Sequence, residues 1–522
     1  MRAARLTLAA IVLISVFWLP AASFYASSDM IQGLSHLTRI SQEEAETLPE
    51  AQGPVTLTFG GERLPFDEAS NTYFIPQSAQ TEGYDGAITL ETEPNAQCYL
   101  FAYDGVDKRQ ALEQSVGVTV YEVLDGVCRS SKVIFTPLSV LTVQTQTGEM
   151  PDSEDQPGVM SVYAITGGEL SVERTAILIN LRGNTSKLMP KKSYRVQAVN
   201  ADGSKRNVSL GGLRSDDDWI LNPMYSDASK IREPLAYALW DAMNRSGVRA
   251  ASSRIAYGEV LFNGAYWGLY GLQERVDNKQ VGGDKRTDFL YKIATNDRPA
   301  ASELLSCADT EVCRAFELVS GPLDSGLSVW AMAAQYIEAI NFRRLEDVPG
   351  ALSLENAIDY GLWAMLTQAH DCHFKNQYLN CVYGADGYTL YKIPWDLNHT
   401  LGDVYLDDPA ANYTEFRVGS LVMDCVFEAL VNSGDGEVAS AIVQRWAQLR
   451  QGVAQEETLM EAAQTLFDAI QGPLWRDSVR WPECGKGEGN ADSIDDIRFY
   501  FSEVLKKMDE RIAGLTQEEA SE

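Results

Sequence analysis

The order of hydrophobic and polar residues predicts strands in the first part of the chain. Residues 54–147 contain short runs in which apolar and polar residues alternate, such as Val55 to Phe59, and turns such as Gly60-Gly61 separate them. Alternation with a period of two is typical of strands with one buried face. We therefore predict a small all-β, sandwich-like domain over residues 54–148.

From residue 159 onward, strand patterns and helix patterns are mixed. Thr175 to Leu181 and Ser193 to Val199 have the composition of strands, and Asn263-Gly264 predicts a type I′ turn in a hairpin. Helical patterns follow at Lys230 to Met243, Leu354 to Thr367, Gly419 to Ile470 and Ile494 to Leu515. Early strands and late helices predict an α+β fold for residues 159–516.

A second hairpin is predicted inside the segment from His370 to Leu401. Gln377 to Tyr383 and Tyr388 to Ile393 are rich in residues that favour strands, and the stretch between them has turn chemistry. If the turn centres on Ala385-Asp386, antiparallel pairing brings the residues just before the hairpin beside the residues just after it.

Two aspartates and one asparagine would meet at the open end of this hairpin. Asp396 follows the second strand and would lie beside Asn376, and Asp371 lies five residues before Asn376. The side-chain oxygens of Asn376 and Asp396 can hold one or two Mg²⁺ ions. Asp371 is then free to orient a hydroxyl nucleophile, as phosphoryl transfer from ATP requires.

Three histidines in the same segment support a rival interpretation. His370, His373 and His399 surround the two aspartates, and imidazole and carboxylate groups together can bind a transition metal in a hydrolase. The His-Asp-x-His spacing matches no strong zinc motif such as HExxH. In the phosphoryl-transfer interpretation the histidines shape the loop, because Mg²⁺ and Mn²⁺ favour oxygen ligands.

Two further segments carry groups suited to phosphate. The loop from Arg182 to Ser186 and the pair Lys191-Lys192 lie between two predicted strands, where backbone N–H groups and ammonium charge can meet phosphates. The loop has no Walker pattern, so an ordinary basic hairpin is the alternative. Glu274 directly follows a predicted strand and could pair with a phosphate-binding lysine, or be a solvated acid at the strand end.

The N-terminus has the pattern of a targeting segment. Arg2 and Arg5 precede an apolar run from Leu6 to Phe24 that ends among small residues. Residues 1–26 are therefore predicted to be a cleaved signal peptide or an uncleaved membrane anchor, and residues 27–53 a polar linker. Under either alternative, the rest of the chain is exported.

Charge and cysteine content narrow the partners and the compartment. The 522 residues include 43 basic and 73 acidic side chains, and the net charge of −30 opposes nonspecific binding to nucleic acid or to anionic lipid. Eight cysteines in an exported chain permit disulfides, and domain membership favours Cys98 with Cys128 and Cys307 with Cys313. Buried free thiols are the alternative.

Four blocks in the same order resemble the CotH family, the spore-coat protein H-like atypical protein kinases. LRGNTSKLMPKKSYRV resembles the family's RGN-S…PKKSYR segment, and residues 216–239 resemble its DW-L…D-S-IR…A-Y-L block. VLFNGAYWGLYGLQERVDNKQV is similar to its L-NG-YWG-Y-L-E-VD block, and PWDLNHTLG to its PWD-D-T-G ending. The resemblance covers residues 160–405 and leaves out the β-rich residues 54–147.

The resemblance implies an atypical kinase-like fold and a role for individual residues. Asp371 would be the catalytic aspartate, and Asn376 and Asp396 would bind metal. The implied cofactors are ATP and Mg²⁺ or Mn²⁺. The nucleotide-binding residues implied by the resemblance are Arg182, Lys191 or Lys192, and Glu274, which would orient the lysine.

The family's activity implies an exported protein kinase that transfers the γ-phosphate of ATP to serine. The kinase would act on a protein substrate at the cell or spore surface and would not bind nucleic acid. The N-terminal segment could anchor the kinase to a membrane. Many relatives have a second acidic residue after the PWD motif, where this chain has Asn398, and this change could weaken a second metal site. A non-catalytic surface or spore-coat protein with a degenerate kinase fold is the competing interpretation.

Overall fold

Strands come mostly before helices along the chain, in the α+β arrangement that the sequence predicts. The computed structural model describes residues 41–76, 98–102, 117–166, 169–183, 185–308, 310–323, 328–341, 352–402, 421–484 and 494–515. The strands are β1 (Thr58–Phe59), β2 (Glu62–Arg63), β3 (Phe66–Asp67), β4 (Thr72–Pro76), β5 (Cys98–Ala102), β6 (Gly117–Leu124), β7 (Val127–Thr136), β8 (Ser139–Thr145), β9 (Gln156–Thr166), β10 (Glu169–Leu181), β11 (Tyr194–Val199), β12 (Val208–Ser209), β13 (Ser215–Asp216), β14 (Asp218–Asn222), β15 (Ile255–Phe262), β16 (Ala265–Glu274), β17 (Phe289–Ile293), β18 (Val312–Cys313), β19 (Phe316–Ser320), β20 (Gln377–Gly384) and β21 (Gly387–Pro394). The helices are α1 (Gln42–Thr47), α2 (Arg232–Met243), α3 (Ala301–Leu305), α4 (Ala331–Asn341), α5 (Leu354–Thr367), α6 (Cys425–Val431), α7 (Gly436–Arg450), α8 (Glu456–Arg480) and α9 (Ile494–Gly514).

Seven strands close into a barrel in the order β10-β11-β14-β16-β15-β8-β9. Neighbouring strands are antiparallel except β15 and β8, which are parallel. Asn263 and Gly264 join β15 to β16 with φ angles of 48° and 77°, and the predicted type I′ turn requires positive φ at both positions. Large side chains such as Trp219 and Tyr270 belong to a core shared by these strands. Closure leaves the barrel without free edges.

A five-stranded sheet in the order β18-β19-β17-β20-β21 follows the barrel along the chain. β20 and β21 pair through to Gly384 opposite Gly387, so the turn falls at Ala385-Asp386 as predicted. The predicted disulfide between Cys307 and Cys313 is present and ends in β18. The side chain of Cys98 lies outside the described part of the chain, and its pairing with Cys128 stays a prediction.

Helices α2 and α5 pack against each other through aromatic side chains. The Trp240 ring of α2 meets the Tyr360 and Trp363 rings of α5 edge-on, with centroids 5.6 and 5.9 Å apart. The Trp363 indole also donates to the carbonyl of Ala236 at 2.9 Å, so its one polar group is satisfied. α5 has its predicted limits, and its end delivers the chain to the segment that begins at His370.

The predicted accessory domain contains a five-stranded sheet in the order β3-β4-β7-β6-β5. Phe74 of β4 stacks on Tyr266 of β16 with ring centroids 4.7 Å apart, and Tyr266 N donates to the Asp67 carboxylate. β8 lies inside the predicted limits of this domain, yet it is a strand of the barrel. The sheet therefore contacts the barrel directly, and the predicted domain limits stay predictions.

Part of the predicted linker is helical. Ser41 caps α1, because its hydroxyl accepts from Glu44 N while the Glu44 carboxylate accepts from Ser41 N. The predicted signal or anchor segment, residues 1–26, lies outside the described ranges. Within those ranges, no helix combines the length and the apolar character that a membrane span requires.

A buried ion pair fastens α8 to the barrel. Lys191 Nζ lies 2.8 Å from Asp477 Oδ1, and both side chains are buried. The same ammonium donates to the carbonyl of Pro223 at 3.0 Å, and Leu269 N donates to Asp477 at 2.9 Å. Because water cannot reach either charge, each depends on the other for its stabilisation.

Asp477→Ala is expected to lower the free energy of unfolding by about 3–5 kcal/mol, because the Lys191 ammonium stays buried without its carboxylate. Urea denaturation followed by tryptophan fluorescence measures the loss. Glu317→Ala is the control, since it breaks a partly exposed pair with Lys292 and should cost about 1 kcal/mol or less. Equal losses in the two variants would contradict the role given to the buried pair.

Candidate functional site

The open end of the β20–β21 hairpin brings Asn376 and Asp396 together. Asn376 immediately precedes β20, and Asp396 comes two residues after the end of β21. One further hydrogen bond, from Trp395 N to Asn376 O at 3.0 Å, extends the antiparallel pairing beyond the strands. Asn376 N in turn donates to Ile293 O of β17 at 2.9 Å. The hairpin pairing thus produces the convergence that the sequence pattern predicts.

Asn376 and Asp396 both have a left-handed backbone, with φ angles of 55° and 59°. This conformation is unfavourable for residues other than glycine, although Asn and Asp tolerate it best. It persists only where the surrounding structure enforces it, and such positions cluster at functional sites. The fold therefore holds both predicted metal ligands, Asn376 and Asp396, in an unfavourable backbone conformation.

Asp371 lies beside them in a short 3₁₀ turn, His370–Cys372. Its carboxylate accepts from Asn376 Nδ2 at 3.2 Å and pairs with Lys375 Nζ at 2.9 Å. Since the Asn376 amide directs its NH₂ group to Asp371, its oxygen is left for a cation. This amide oxygen and the Asp396 carboxylate are the hard ligands that suit Mg²⁺ or Mn²⁺. The sequence analysis did not single out Lys375.

Asp371 and Asp396 both act electrostatically on His399 and Cys372. Burial lowers the pKa of the His399 imidazole, and both carboxylates are close enough to oppose that shift. Burial raises the pKa of the Cys372 thiol, and the same two carboxylates add to the effect. The two aspartates therefore have two neighbours in common.

The three histidines of the rival interpretation do not all have the same neighbours. His373 Nδ1 lies 2.6 Å from Met423 O. Burial lowers the pKa of His370, and the neighbouring His399 lowers it further. In the ranges that the structure describes, no group of three or more His, Cys, Asp or Glu side chains is arranged to hold a metal ion.

Helix α2 adds a buried carboxylate that the sequence analysis missed. Glu233 accepts from Asn222 Nδ2 at 2.8 Å, and the backbone N–H of Leu397 is close enough to lower the pKa of this carboxylate. Burial, followed by the nearby Asp396 carboxylate, raises the pKa of Glu233 to about 7. An acidic residue in the first turn of a helix is common, because it complements the helix dipole, so the sequence offered no distinctive signal.

Two arginines supply positive charge close to Tyr378, the second residue of β20. The Arg182 guanidinium is close enough to lower the pKa values of both Glu233 and Tyr378, although burial keeps both values raised. Arg275 has the same effect on Tyr378 and forms an ion pair with Asp218. The sequence analysis named Arg182 as a nucleotide-binding candidate and missed Arg275.

The two predicted nucleotide lysines have other partners. Lys191 is buried against Asp477, with its Nζ 4.5 Å from the centroid of the Tyr270 ring, and burial lowers its pKa. Lys192 donates to Lys187 O at 2.6 Å. None of the contacts that the structure describes for these lysines is with Asp371, Asn376 or Asp396. Lys191 joins the barrel to α8.

Glu274 also lies apart from the lysines. Its carboxylate accepts from Arg214 N at 3.0 Å and from Gln280 Nε2 at 3.3 Å. Successive residues of a strand point to opposite faces, so Gln273 is the residue of β16 that faces α2, with its Nε2 3.5 Å from Glu233 Oε1. The structure thus gives Glu274 an arginine partner where a lysine was predicted.

Comparison with known families agrees with this geometry. The sequence model of the CotH family, described as CotH kinase protein, matches residues 179–506, which is more than half of the chain. The matched range begins just before Arg182 and includes the hairpin, Asp371 and Asp396. No curated protein matches the chain closely enough to count as a relative. The family resemblance seen in the sequence is confirmed.

Glu233→Gln is expected to remove part of the pH dependence of stability. The pKa of Glu233 is about 7 in the folded protein against an ordinary 4.5, so the folded state binds this proton more tightly than the unfolded state. As the pH rises from 4.5 to 7, ionisation of the buried carboxylate costs the parent up to about 3 kcal/mol of stability. The glutamine variant has no such proton to lose.

Urea denaturation of metal-free protein at several pH values across this window measures the effect. The free energy of unfolding of the variant should rise relative to that of the parent as the pH increases. A difference that stays constant between pH 4.5 and 7 would contradict the raised pKa.

Proposed function

Because the chain belongs to the CotH kinase protein family, we propose that it is an ATP-dependent protein kinase. The observation that carries the proposal is the convergence of Asp371, Asn376 and Asp396 at the open end of one hairpin. Phosphoryl transfer needs oxygen ligands for a metal, cations for the phosphates and a group that orients the nucleophile. These three residues offer the first and the last of these requirements.

Asn376 and Asp396 would hold Mg²⁺ or Mn²⁺ together with the phosphates of ATP. The bound ion would supply charge neutralisation on the β- and γ-phosphates. The donor set fits, since the Asn376 amide oxygen is turned away from Asp371 and the Asp396 residue is exposed. Two protein ligands suit Mg²⁺ when phosphates and water complete its coordination.

Asp371 would orient the hydroxyl group of a protein serine and accept its proton. Its side chain is partly exposed, and Asn376 and Lys375 hold the carboxylate from two directions. Because Asn376 spans Asp371 and the proposed metal, it would fix the distance between nucleophile and phosphate. Lys375 would bring positive charge to the phosphoryl oxygens that approach this carboxylate.

Arg182 and Arg275 would contact phosphate in place of a lysine. Both guanidinium groups act on Tyr378, at the start of the strand that follows Asn376. A guanidinium group can bind phosphate with two parallel hydrogen bonds, which a lysine cannot do. Lys191 is paired with Asp477 and does not take this role in our proposal.

We also propose that the kinase is exported and acts on a surface or coat protein. Residues 1–26 would direct export or anchor the chain, and the sheet β3-β4-β7-β6-β5 would belong to a small sandwich-like unit that spaces or attaches the kinase. The net charge of −30 disfavours nucleic acid and anionic lipid as partners. A protein serine at the cell or spore surface is the substrate that we propose.

A non-catalytic surface or coat protein is the second candidate, and one residue favours it. Asn398 stands where many relatives have a second acidic residue, and its amide donates to Ser226 Oγ at 3.2 Å. One carboxylate fewer weakens a second metal site. Nucleotide binding separates the two candidates, because a structural protein need not be stabilised by ATP with Mg²⁺ or Mn²⁺.

Asp396→Ala is expected to abolish the metal-dependent stabilisation by ATP, whereas Asp371→Ala should keep it and stop phosphoryl transfer. The first change removes an anionic metal ligand, and the second removes the group that orients the nucleophile. Thermal unfolding with ATP and Mn²⁺ measures binding, and the parent should gain about 2.7 kcal/mol at a ligand concentration of roughly 100 times Kd. Formation of ADP measures turnover.

Asp386→Ala is the matched control for both variants. Asp386 is exposed at the turn of the same hairpin, at the end away from the site, so its loss should change neither binding nor turnover. If Asp371→Ala and Asp396→Ala both bind ATP with Mn²⁺ as the parent does, the roles given to the two aspartates are wrong.

A further inference from the structure

Two successive backbone N–H groups fix the segment that carries Asp396. Trp395 N donates to Asn376 O at 3.0 Å, and Asp396 N donates to Tyr237 Oη at 3.2 Å. Tyr237 lies on α2, one turn after Glu233, so this helix binds one of the two groups.

Glu233 and Tyr237 are themselves held by two side chains of the barrel. Gln273 Nε2 lies 3.3 Å from Tyr237 Oη and 3.5 Å from Glu233 Oε1. Asn222 Nδ2 donates to Glu233 Oε2 at 2.8 Å and to Gln273 Oε1 at 3.0 Å. Glu233, Tyr237 and Gln273 are buried, so water does not compete for these bonds. A continuous network therefore leads from β14 and β16 through α2 to Asp396.

The first turn of α2 is also fixed. Arg232 N donates to Asp227 Oδ2 at 2.9 Å, and the Arg232 guanidinium forms a buried ion pair with the same carboxylate. Glu233 is the next residue along the helix. The position of its carboxylate is thus set by the helix start as well as by the barrel.

We propose that Tyr237, itself held by Gln273, is a positioning residue that holds Asp396 in its left-handed conformation. With a φ angle of 59°, Asp396 needs enforcement from its surroundings, and the Tyr237 hydroxyl supplies it. Without this hydrogen bond the segment can relax to an extended backbone, which turns the carboxylate away from the metal position. The consequence for catalysis rests on the proposed function.

This arrangement couples the barrel to the metal site. Arg182 follows a barrel strand and lies close to Glu233, so a phosphate bound by Arg182 would share its surroundings with the residue one turn before Tyr237 on α2. Movement of α2 relative to β21 would release Asp396. Helix α2 therefore determines whether the metal ligand is in place.

Hydrogen exchange of the amides of residues 395–397, in the full chain without metal or nucleotide, tests the positioning directly. Tyr237→Phe keeps the ring and removes the acceptor, and should speed exchange at Asp396 roughly tenfold.

Tyr291→Phe is the matched control for Tyr237→Phe. Tyr291 is buried on β17, and its hydroxyl donates to Val329 O at 2.6 Å. This variant loses a comparable hydrogen bond and should leave the exchange of residues 395–397 unchanged. Unchanged exchange in Tyr237→Phe would overturn the inference.

The Mn²⁺ concentration that gives half of the ATP-dependent rise in Tm provides the second measurement. Tyr237→Phe should need about 10–100 times more Mn²⁺ than the parent and regain full stabilisation at saturation. Tyr291→Phe should behave as the parent does. Faster exchange with an unchanged Mn²⁺ requirement would overturn the inference. If Tyr237→Phe exchanges faster but ATP does not stabilise the parent, the positioning role is supported and the proposed function is contradicted.

Discussion

The antiparallel register of β20 and β21 is the constraint on which the site depends. Gln377 lies opposite Pro394, and this pairing places Asn376 against Trp395 and the residue after it. A slip of one residue would move every side chain of a strand to the other face, and Leu390 and Ile393, which are fully buried on opposite faces of β21, would both have to change their surroundings. Packing of the hydrophobic core thus determines where the metal ligands lie.

The site forms where the barrel, helix α2 and this hairpin meet. The barrel contributes Arg182 and Gln273, α2 contributes Glu233 and Tyr237, and the hairpin end contributes the aspartates. Each part is held to the next by buried polar contacts, which are costly when unsatisfied and therefore specify one arrangement. The charged groups are also separated, since Arg182 lies on the barrel side, and Asp371 and Asp396 lie at the hairpin end. In the proposed function, a nucleoside triphosphate and its metal ion would bind between them.

The features that the sequence predicts well are local ones. The hairpin turn at Ala385-Asp386, the Asn263-Gly264 turn and the limits of α5 all follow from residue type and spacing within about a dozen positions. The features that it does not predict depend on distant partners. Lys191 or Lys192 was predicted to bind nucleotide, and the local pattern does not show that Lys191 pairs with Asp477, 286 positions away. The position of Glu233 depends on contacts with β14 and β16, and an acidic residue early in a helix does not reveal them.

Transfer of label from the γ-phosphate of ATP to serine tests the central claim most directly. The purified chain is incubated with γ-labelled ATP and Mn²⁺, and the labelled residues are identified by peptide mapping. Our account predicts label on serine in the parent and none in Asp371→Asn, which keeps the size of the side chain and removes the carboxylate. Label of equal amount in both proteins, or its absence from a parent that binds ATP with Mn²⁺, would contradict the account.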